Sequence, residues 1–293
     1  MNPPIETNTD IAGQDEQVYC YGHPKTPTKL RCSRCDRPIC GRCAIPASVG
    51  QHCPECVAEA RKSAPKVRSA LAATAPVVMA ILVVNVAVFF LQNLMPGLTD
   101  ELAMNPFAVA SGEWFRLLTP MILHGGLLHL AFNSFALFSF GPVIEQHFGH
   151  VRFALMYLAS GLLASALSYA VPPNNSSIGA SGAIFGVAGV LLVYLYNRRK
   201  QTFIRDTLRS LLGIIGLNLV FGFIASGLID NWAHIGGLIG GIILGFGFDD
   251  ATAEGGHRHG GAQVASVIAV VGLAAGLVLW RTPAIESAFG ILP

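Results

Sequence analysis

Residues 174–189 read NNSSIGASGAIFGVAG, and this stretch decides how the rest of the chain is interpreted. A polar loop gives way to a run of small and apolar residues, and Ser181 lies at the junction. Serine is a favoured helix N-cap, and its hydroxyl is a nucleophile when a base lies within hydrogen-bond reach. The stretch therefore predicts a helix that begins near Ser181, and it leaves two roles open for this serine.

The composition predicts a membrane protein with a polar portion. Of the 293 residues, 52% are hydrophobic and only 12% are charged, whereas an average soluble domain carries about 25% charged residues. A helix crosses the hydrocarbon core of a bilayer in about 20 residues. Seven uncharged apolar stretches fit such spans: 76–95, 117–144, 153–172, 178–197, 210–229, 232–248 and 264–280. In the second, Pro120 and Gly125-Gly126 restrict the predicted helix to roughly Gly126–Pro142. We therefore expect an all-α polytopic fold.

Basic residues predict the orientation of these spans. With a cytoplasmic amino terminus, the inner segments carry 11 lysines and arginines, and the outer segments carry only Arg116 and Arg281. Cytoplasmic loops hold the basic excess in membrane proteins. We therefore expect the amino terminus in the cytoplasm and the carboxyl terminus outside. The expected location is the cell membrane, as a multi-pass protein of a bacterial plasma membrane.

A cysteine-rich segment precedes the first span and indicates a metal-binding domain. It contains four ligand pairs with two-residue spacing: Cys20 and His23, Cys32 and Cys35, Cys40 and Cys43, and Cys53 and Cys56. One tight turn presents such a pair to a tetrahedral ion, so eight ligands suit two structural Zn²⁺ ions. We expect pairs one and three on one ion and pairs two and four on the other, with His52 as an alternative to Cys53. Disulfides would need an oxidising compartment, which the predicted orientation disfavours.

The domain organisation follows from these segments. We expect a disordered terminus (1–17), a zinc-binding domain (18–58), a basic linker (59–75), a membrane core (76–250), a loop (251–263), a seventh span (264–280) and a tail (281–293). The metal should supply most of the folding energy of the small domain. A protein partner of this domain is one expectation, and nucleic acid binding is not expected.

Polar residues from three spans share one predicted depth. His129 and Asn133, Ser181, and His234 lie near the outer starts of spans two, four and six. Each has a structural interpretation: a cap for Ser181, a hydrogen-bonded core histidine for His234, and a helix contact for the i, i+4 pair. Together, a hydroxyl, an imidazole and extra donors at one level suit a serine hydrolase, and ionisable groups inside a membrane are functional candidates.

The chemistry assigns a role to each of these residues. His234 would take the proton of Ser181 and return it to the leaving amine. Asn133, His129 and the Ser181 backbone N–H would stabilise the oxyanion, since a helix start favours negative charge. No carboxylate is clearly placed to orient His234, and Asp230 is better read as a helix cap. We therefore expect a dyad without a third member.

Small residues predict how the two helices meet. Gly182-x3-Gly186 on span four and Gly237-x3-Gly241 on span six provide faces for close packing. Phe185, one turn below Ser181, is placed to brace the His234 ring. The segment 111–120 should form an outer-leaflet loop with Trp114, Phe115 and Arg116 at the interface.

These elements resemble the rhomboid family of intramembrane serine proteases over roughly 75–250. The matching motifs are Gly179-x-Ser181-Gly182, Ala233-His234-x2-Gly237, His129-x3-Asn133 with His124 before it, Trp114 with Arg116, and Glu145 after the second span. The resemblance implies a six-helix core, a Ser181–His234 dyad, and transmembrane-helix substrates cut near the outer surface. The seventh span would be a carboxyl-terminal addition. The cysteine-rich segment resembles B-box and related cross-braced zinc modules.

Three other functions compete with proteolysis. An inactive rhomboid-like protein would bind membrane clients without cutting them, but such relatives usually lack the serine or the histidine. A transporter with histidine relays does not explain the serine and asparagine at the same outer level. A receptor that binds partners through the zinc module is compatible with proteolysis.

Overall fold

A computed structural model of the chain describes residues 17–47, 49–63, 74–171, 176–225, 229–249 and 260–289. It divides into two compact units, Met1–Val67 and Arg68–Pro293. The predicted disordered terminus lies outside the described residues except for Gln17. Residues 64–73, most of the predicted basic linker, also lie outside them.

The first unit is built from turns and short strands. Strand β1 (Tyr19–Cys20) pairs antiparallel with β2 (His23–Pro27), and β3 (Ile45–Pro46) pairs with β4 (Gln51–His52). Helix α1 (Pro54–Ser63) follows, so the first residues of the predicted linker are helical. The buried core of this unit consists of Ile39 and six cysteines. Hydrophobic burial on this scale contributes little stability, which agrees with a domain that depends on bound metal.

The second unit is helical, which confirms the predicted fold class. Its long helices are α2 (Pro76–Leu94), α5 (Leu127–Phe148), α6 (His150–Ala170), α7 (Ser181–Asn197), α8 (Thr202–Ile224), α9 (Asn231–Phe248) and α10 (Gly260–Phe289). The short helices α3 (Leu98–Leu102) and α4 (Pro106–Ala110) and two 3-10 turns (Trp114–Leu117 and Thr119–Ile122) connect α2 to α5. Six of the long helices are long and apolar enough to cross a membrane, and α7 is a shorter apolar helix of 17 residues.

Several helices extend beyond the predicted apolar stretches. Helix α8 begins at Thr202 instead of 210, and α10 covers Gly260–Phe289 instead of 264–280. Part of the predicted loop (251–263) and most of the predicted tail (281–293) are therefore helical, while 250–259 and 290–293 lie outside the described residues. Hydropathy identifies only the part of a helix that lies in hydrocarbon, so polar helical turns at the ends are missed.

Helix α5 does not end near Pro142 as predicted but continues to Phe148. The extra turn contains Glu145, a fully buried carboxylate that accepts hydrogen bonds from the backbone N–H groups of Val77 (2.9 Å) and Val78 (2.8 Å). These are unpaired donors of the first turn of α2, where negative charge is favoured. Glu145 thereby caps α2 from a neighbouring helix, and this tertiary contact favours the extension.

Helix α9 packs against α7 with the two backbones in direct contact. A Cβ atom added at Gly237 would lie 1.9 Å from the carbonyl oxygen of Gly182, and one added at Gly241 would lie 1.9 Å from that of Gly186. No side chain fits at such a distance. The small faces predicted from the glycine spacing are therefore the contact surfaces of these two helices.

A neighbouring face of α9, about 100° around the helix, meets α6 in a similar way. A Cβ at Gly236 would lie 2.8 Å from the carbonyl oxygen of Leu163, and one at Gly240 would lie 3.1 Å from the Cα of Ser160. Glycine on two faces lets α9 lie between α6 and α7 in close contact with both.

The loop before α5 is organised by Arg116, which is only 9% exposed. Its guanidinium pairs with Glu113 (2.6 Å) and donates to the carbonyl oxygens of Asp100 (2.6 Å) and Ala103 (3.1 Å). Trp114 and Phe115 are exposed, in keeping with an interfacial position, whereas the side chain of Arg116 is buried within the loop. The guanidinium of Arg116 carries five N–H donors and satisfies loop carbonyls that would otherwise be unpaired. These hydrogen bonds favour burial of the arginine.

We predict that Gly241→Val destabilises the protein by about 3 kcal/mol, because its side chain would overlap the Gly186 carbonyl oxygen. Gly216→Ala on α8 is the matched control, since a Cβ there meets nothing within 4 Å and should change stability by less than about 1 kcal/mol. Denaturant titration of detergent-solubilised protein measures both effects. Equal stability of the two variants would contradict the packing described above.

Candidate active site and metal clusters

Ser181 and His234 are brought together by the α7–α9 contact. The Ser181 Oγ lies 2.9 Å from the His234 Nε2, within hydrogen-bond distance, and His234 is 7% exposed. Ser181 is the first residue of α7, and the N-cap position is Ala180, which makes no side-chain cap. The expected capping role of the serine hydroxyl is therefore not seen, and the hydroxyl faces the imidazole instead.

The ring of Phe185 stacks on the imidazole of His234. Their centroids are 4.2 Å apart and their planes differ by 7°. Phe185 follows Ser181 by one helical turn, so it lies on the same face of α7. The bracing contact predicted from this spacing is present, and it restricts how the imidazole can rotate.

Asp230 caps α9, as the sequence predicted. One carboxylate oxygen accepts a hydrogen bond from the Ala233 backbone N–H at 3.0 Å. The His234 Nδ1 has no hydrogen-bond partner among the described residues. Within that part of the chain, no carboxylate orients the ring as the third member of a triad would.

His129 and Asn133 provide donors on the adjacent helix. The His129 Nδ1 accepts from the Gly125 backbone N–H at 3.2 Å, so in a neutral ring the proton belongs on Nε2. A Cβ at Gly179 would lie 2.8 Å from that Nε2 and 3.6 Å from the Ser181 Oγ, which places both atoms beside the same short loop. Asn133 is 6% exposed, and its Nδ2 has no partner among the described residues. Two N–H donors are thus available on α5.

Gln92 supports this region, and the sequence analysis did not identify it. Its amide oxygen accepts from the His124 backbone N–H (3.1 Å) and its amide nitrogen donates to Thr99 (2.8 Å). His124 is buried and packs edge-on against His129, with ring centroids 5.3 Å apart. A glutamine inside an apolar span was the available signal, since polar groups at that depth need partners.

A narrow cleft adjoins Ser181 and is lined mainly by small residues. They come from α6, the loop before α7, α7 itself and α9: Gly161, Ala164, Gly179, Gly182, Ala183 and Ala233. Each of these positions lacks a side chain or carries only a methyl group. The cleft has a volume of about 10 Å³, which is close to the space of one water molecule next to the serine hydroxyl.

The cysteine-rich unit forms two clusters of four potential metal ligands. Cys20, His23, Cys40 and Cys43 make up the first, and Cys32, Cys35, Cys53 and Cys56 make up the second. Within each cluster the ligand atoms lie within 4.8 Å of one another. The interleaved arrangement is the predicted one, and the second cluster contains Cys53 and not His52.

Close packing of the thiols affects their ionisation. Burial and the neighbouring thiols raise the pKa of Cys43 to about 11. The hydrogen bond between the Cys56 and Cys53 thiols, together with burial, raises the pKa of Cys56 to about 12. Burial opposes ionisation of Cys20 as well, but hydrogen bonds from backbone N–H groups and His23 lower its pKa to about 6. Thiolates packed this closely repel one another, so a bound cation would stabilise the fully ionised cluster.

Comparison with known proteins identifies the family. The Rhomboid domain model matches residues 111–249, which include Ser181, His234, His129 and Asn133. The protein YdcA of Bacillus subtilis is 39% identical over 139 residues, which cover 47% of this chain and 69% of YdcA. The chain belongs to the rhomboid family. It is therefore a multi-pass membrane protein, and the predicted six-helix rhomboid core corresponds to α2 and α5–α9, with α10 as the additional helix.

Two further relatives show how far the similarity of this rhomboid extends. The rhomboid protease GluP of Bacillus subtilis is 41% identical over 204 residues, covering 67% of this chain but only 38% of GluP. The mitochondrial RHOMBOID-like protein 6 of Arabidopsis thaliana is 37% identical over 193 residues, covering 58% of this chain and 62% of that protein. The residues of both clusters of potential metal ligands lie before the range that the family model matches.

We predict that purified protein holds about two metal ions per chain, because eight ligands form two four-coordinate sites. Cys53→Ser should retain about one ion and expose the remaining thiols of its cluster to alkylation. His52→Ala is the matched control and should retain both ions, since His52 belongs to neither cluster. Elemental analysis together with thiol titration measures the outcome. Loss of an ion from the His52 variant alone would show that the ligand assignment is wrong.

Proposed function

We propose that this rhomboid is an intramembrane serine endopeptidase that uses Ser181 as nucleophile and His234 as base. The observation that carries the proposal is the 2.9 Å contact between the Ser181 Oγ and the His234 Nε2. A hydroxyl in hydrogen-bond contact with a neutral imidazole is the arrangement that activates serine. The protease names of GluP and other relatives support the same reaction.

In the first step, Ser181 Oγ attacks the carbonyl carbon of the scissile peptide while His234 Nε2 accepts the hydroxyl proton. The tetrahedral intermediate collapses when His234 donates that proton to the leaving amine, which leaves an acyl ester on Ser181. A water molecule then attacks the ester while His234 accepts its proton, and His234 returns that proton to the departing Ser181 Oγ as the new carboxyl terminus is released. Phe185 keeps the imidazole plane aligned through these transfers by stacking against it.

The negative oxygen of the intermediate needs donors that are already in place. The Ser181 backbone N–H lies in the first turn of α7, where amide groups have no intrahelical acceptor. Asn133 Nδ2 and His129 Nε2 add side-chain donors from α5. A buried Asn133 amide without a protein partner among the described residues is the state expected of a donor that waits for a substrate oxygen.

The substrates proposed are transmembrane segments cleaved near the outer face. The excess of basic residues in the segments assigned to the cytoplasm supports this orientation, because it places the starts of α5, α7 and α9 outside. Helix α7 has 17 residues, fewer than the about 20 that cross the hydrocarbon core, which supports a start below the outer surface where water would have access. The small residues of the cleft beside Ser181 favour a small side chain at the cleaved bond.

The amino-terminal unit is proposed to hold two structural Zn²⁺ ions. Cysteine thiolates with one histidine suit zinc better than calcium or magnesium, which prefer oxygen ligands. A core made of Ile39 and cysteines cannot stabilise the unit by itself, so the ions would supply folding energy and no catalytic chemistry. A protein partner for this unit remains part of the proposal.

We expect Ser181→Ala and His234→Ala each to lower cleavage of a transmembrane substrate by about 10³-fold or more, because each removes half of the activated nucleophile. A fluorophosphonate probe should label the wild type and not Ser181→Ala. Ser210→Ala is the control, since among the described residues its hydroxyl donates a hydrogen bond only to the Asp206 carbonyl on α8. Undiminished cleavage or labelling of the folded Ser181 variant would refute the assignment of the nucleophile.

Asn133→Ala should reduce kcat by about 10²-fold with a smaller change in KM, because an oxyanion donor acts mainly in the transition state. Asn93→Ala is a matched control on α2, where the amide donates to the Phe89 carbonyl and is exposed. Initial rates in detergent or proteoliposomes give both constants. An equal loss in the two variants would argue against a role for Asn133 at the oxyanion.

A further inference from the structure

The helix that carries His234 is intrinsically weak. Helix α9 contains six glycines among its 18 residues. Each glycine in a helix interior costs roughly 1 kcal/mol relative to alanine. Five of these glycines contact α6 or α7 and Gly247 contacts α10 at Ser266, so they cannot be exchanged for stronger helix formers. The first turn, which has no preceding turn to support it, therefore depends on contacts from outside the helix.

Asp230 provides such contacts with both its backbone and its side chain. Its carbonyl oxygen accepts the His234 backbone N–H at 3.2 Å, and its Oδ1 accepts the Ala233 N–H at 3.0 Å. Its Oδ2 accepts a hydrogen bond from the hydroxyl of Ser168, a buried residue near the end of α6. One carboxylate thus joins the first turn of α9 to α6.

The His234 ring has few restraints of its own. It contacts the Ser181 hydroxyl and the Phe185 ring, and its Nδ1 has no hydrogen-bond partner among the described residues. Serine proteases with a triad orient the imidazole through this nitrogen. Here the direction of the ring depends on the backbone position of His234, and therefore on the first turn of α9.

We propose that Asp230, held by Ser168, is a positioning residue that directs His234 toward Ser181 through the first turn of α9. This inference rests on the proposed protease function. It gives the carboxylate a role that does not require contact with the imidazole.

The next residue of α6 extends this connection to the additional helix. The Tyr169 hydroxyl lies 2.8 Å from the Thr282 Oγ1 of α10. Ser168 and Tyr169 are consecutive, so the end of α6 contacts the cap of α9 through one residue and α10 through the other. Helix α10 therefore supports the α6 segment that positions the histidine.

Helix α9 offers a matched control at its carboxyl-terminal end. Asp249 follows α9, has a fully buried side chain, and pairs with both guanidinium nitrogens of Arg198 at 2.9 and 3.0 Å. It lies about 28 Å along the helix from Asp230, at about 1.5 Å per residue. Asp249→Asn should lower stability while leaving His234 in place.

The experiment measures two rates in full-length protein: fluorophosphonate labelling, which reports serine activation without a protein substrate, and kcat with KM for cleavage. Asp230→Ala should lower the labelling rate and kcat by about 10- to 100-fold with little change in KM, because small displacements of catalytic groups have effects of that size. Asp230→Asn should stay within about threefold of wild type, because its amide oxygen still accepts from Ala233. Ser168→Ala should lower both rates, and it should add nothing when combined with Asp230→Ala.

The outcomes separate this inference from the proposed function. A wild type that is neither labelled nor active would overturn the protease assignment itself. A labelled wild type with equal rates for Asp230→Ala would overturn only the positioning role. For each variant, the loss of activity is compared with the loss of thermal stability. If this ratio is the same for Asp230→Ala and Asp249→Asn, the role of Asp230 is purely structural and the positioning role is overturned. If Asp230→Ala fails to fold, the Ser168→Ala rates decide the question alone, and wild-type rates would reject it.

Discussion

Direct contact between the backbones of α7 and α9 is the constraint on which the second unit depends. Hydrocarbon offers no hydrophobic gain when two apolar helices meet, so association relies on close packing. Glycines at 182, 186, 237 and 241 remove the side chains that would hold the helices apart. The hydroxyl of Ser181 and the imidazole of His234 can approach to 2.9 Å only because these axes are so close.

Polar groups are unfavourable in a membrane, and in this unit several of them are satisfied by hydrogen bonds to other segments of the chain. Arg116 satisfies loop carbonyls, Gln92 holds the segment at His124, and Glu145 caps α2. Each connects two parts of the chain, so hydrogen bonds between distant segments both satisfy these polar groups and hold the scaffold together. Two of the buried polar atoms that have no protein partner in the described residues, Asn133 Nδ2 and His234 Nδ1, belong to the candidate active site.

The cysteine-rich unit follows a different principle. Its buried side chains are mostly potential ligands, so the same residues act as core and as metal site. Such a unit is expected to fold when its ions bind, and its stability would follow metal concentration. The membrane unit needs no comparable ligand, because its helices are specified by apolar length and small-residue packing.

The sequence by itself determined the helical membrane fold, the interleaved ligand pairs and the residues that could form a hydrolytic site, because hydropathy, two-residue spacing and glycine spacing are local patterns. It misplaced several helix ends, among them that of α5, because Glu145 extends the helix through a contact with α2. It also missed the loop contacts of Arg116, the contacts of Gln92 and the Ser168–Asp230 hydrogen bond, since their partners are distant in sequence. Only the tertiary structure decided that the Ser181 hydroxyl faces His234 instead of capping its helix, because that choice depends on where a second helix lies.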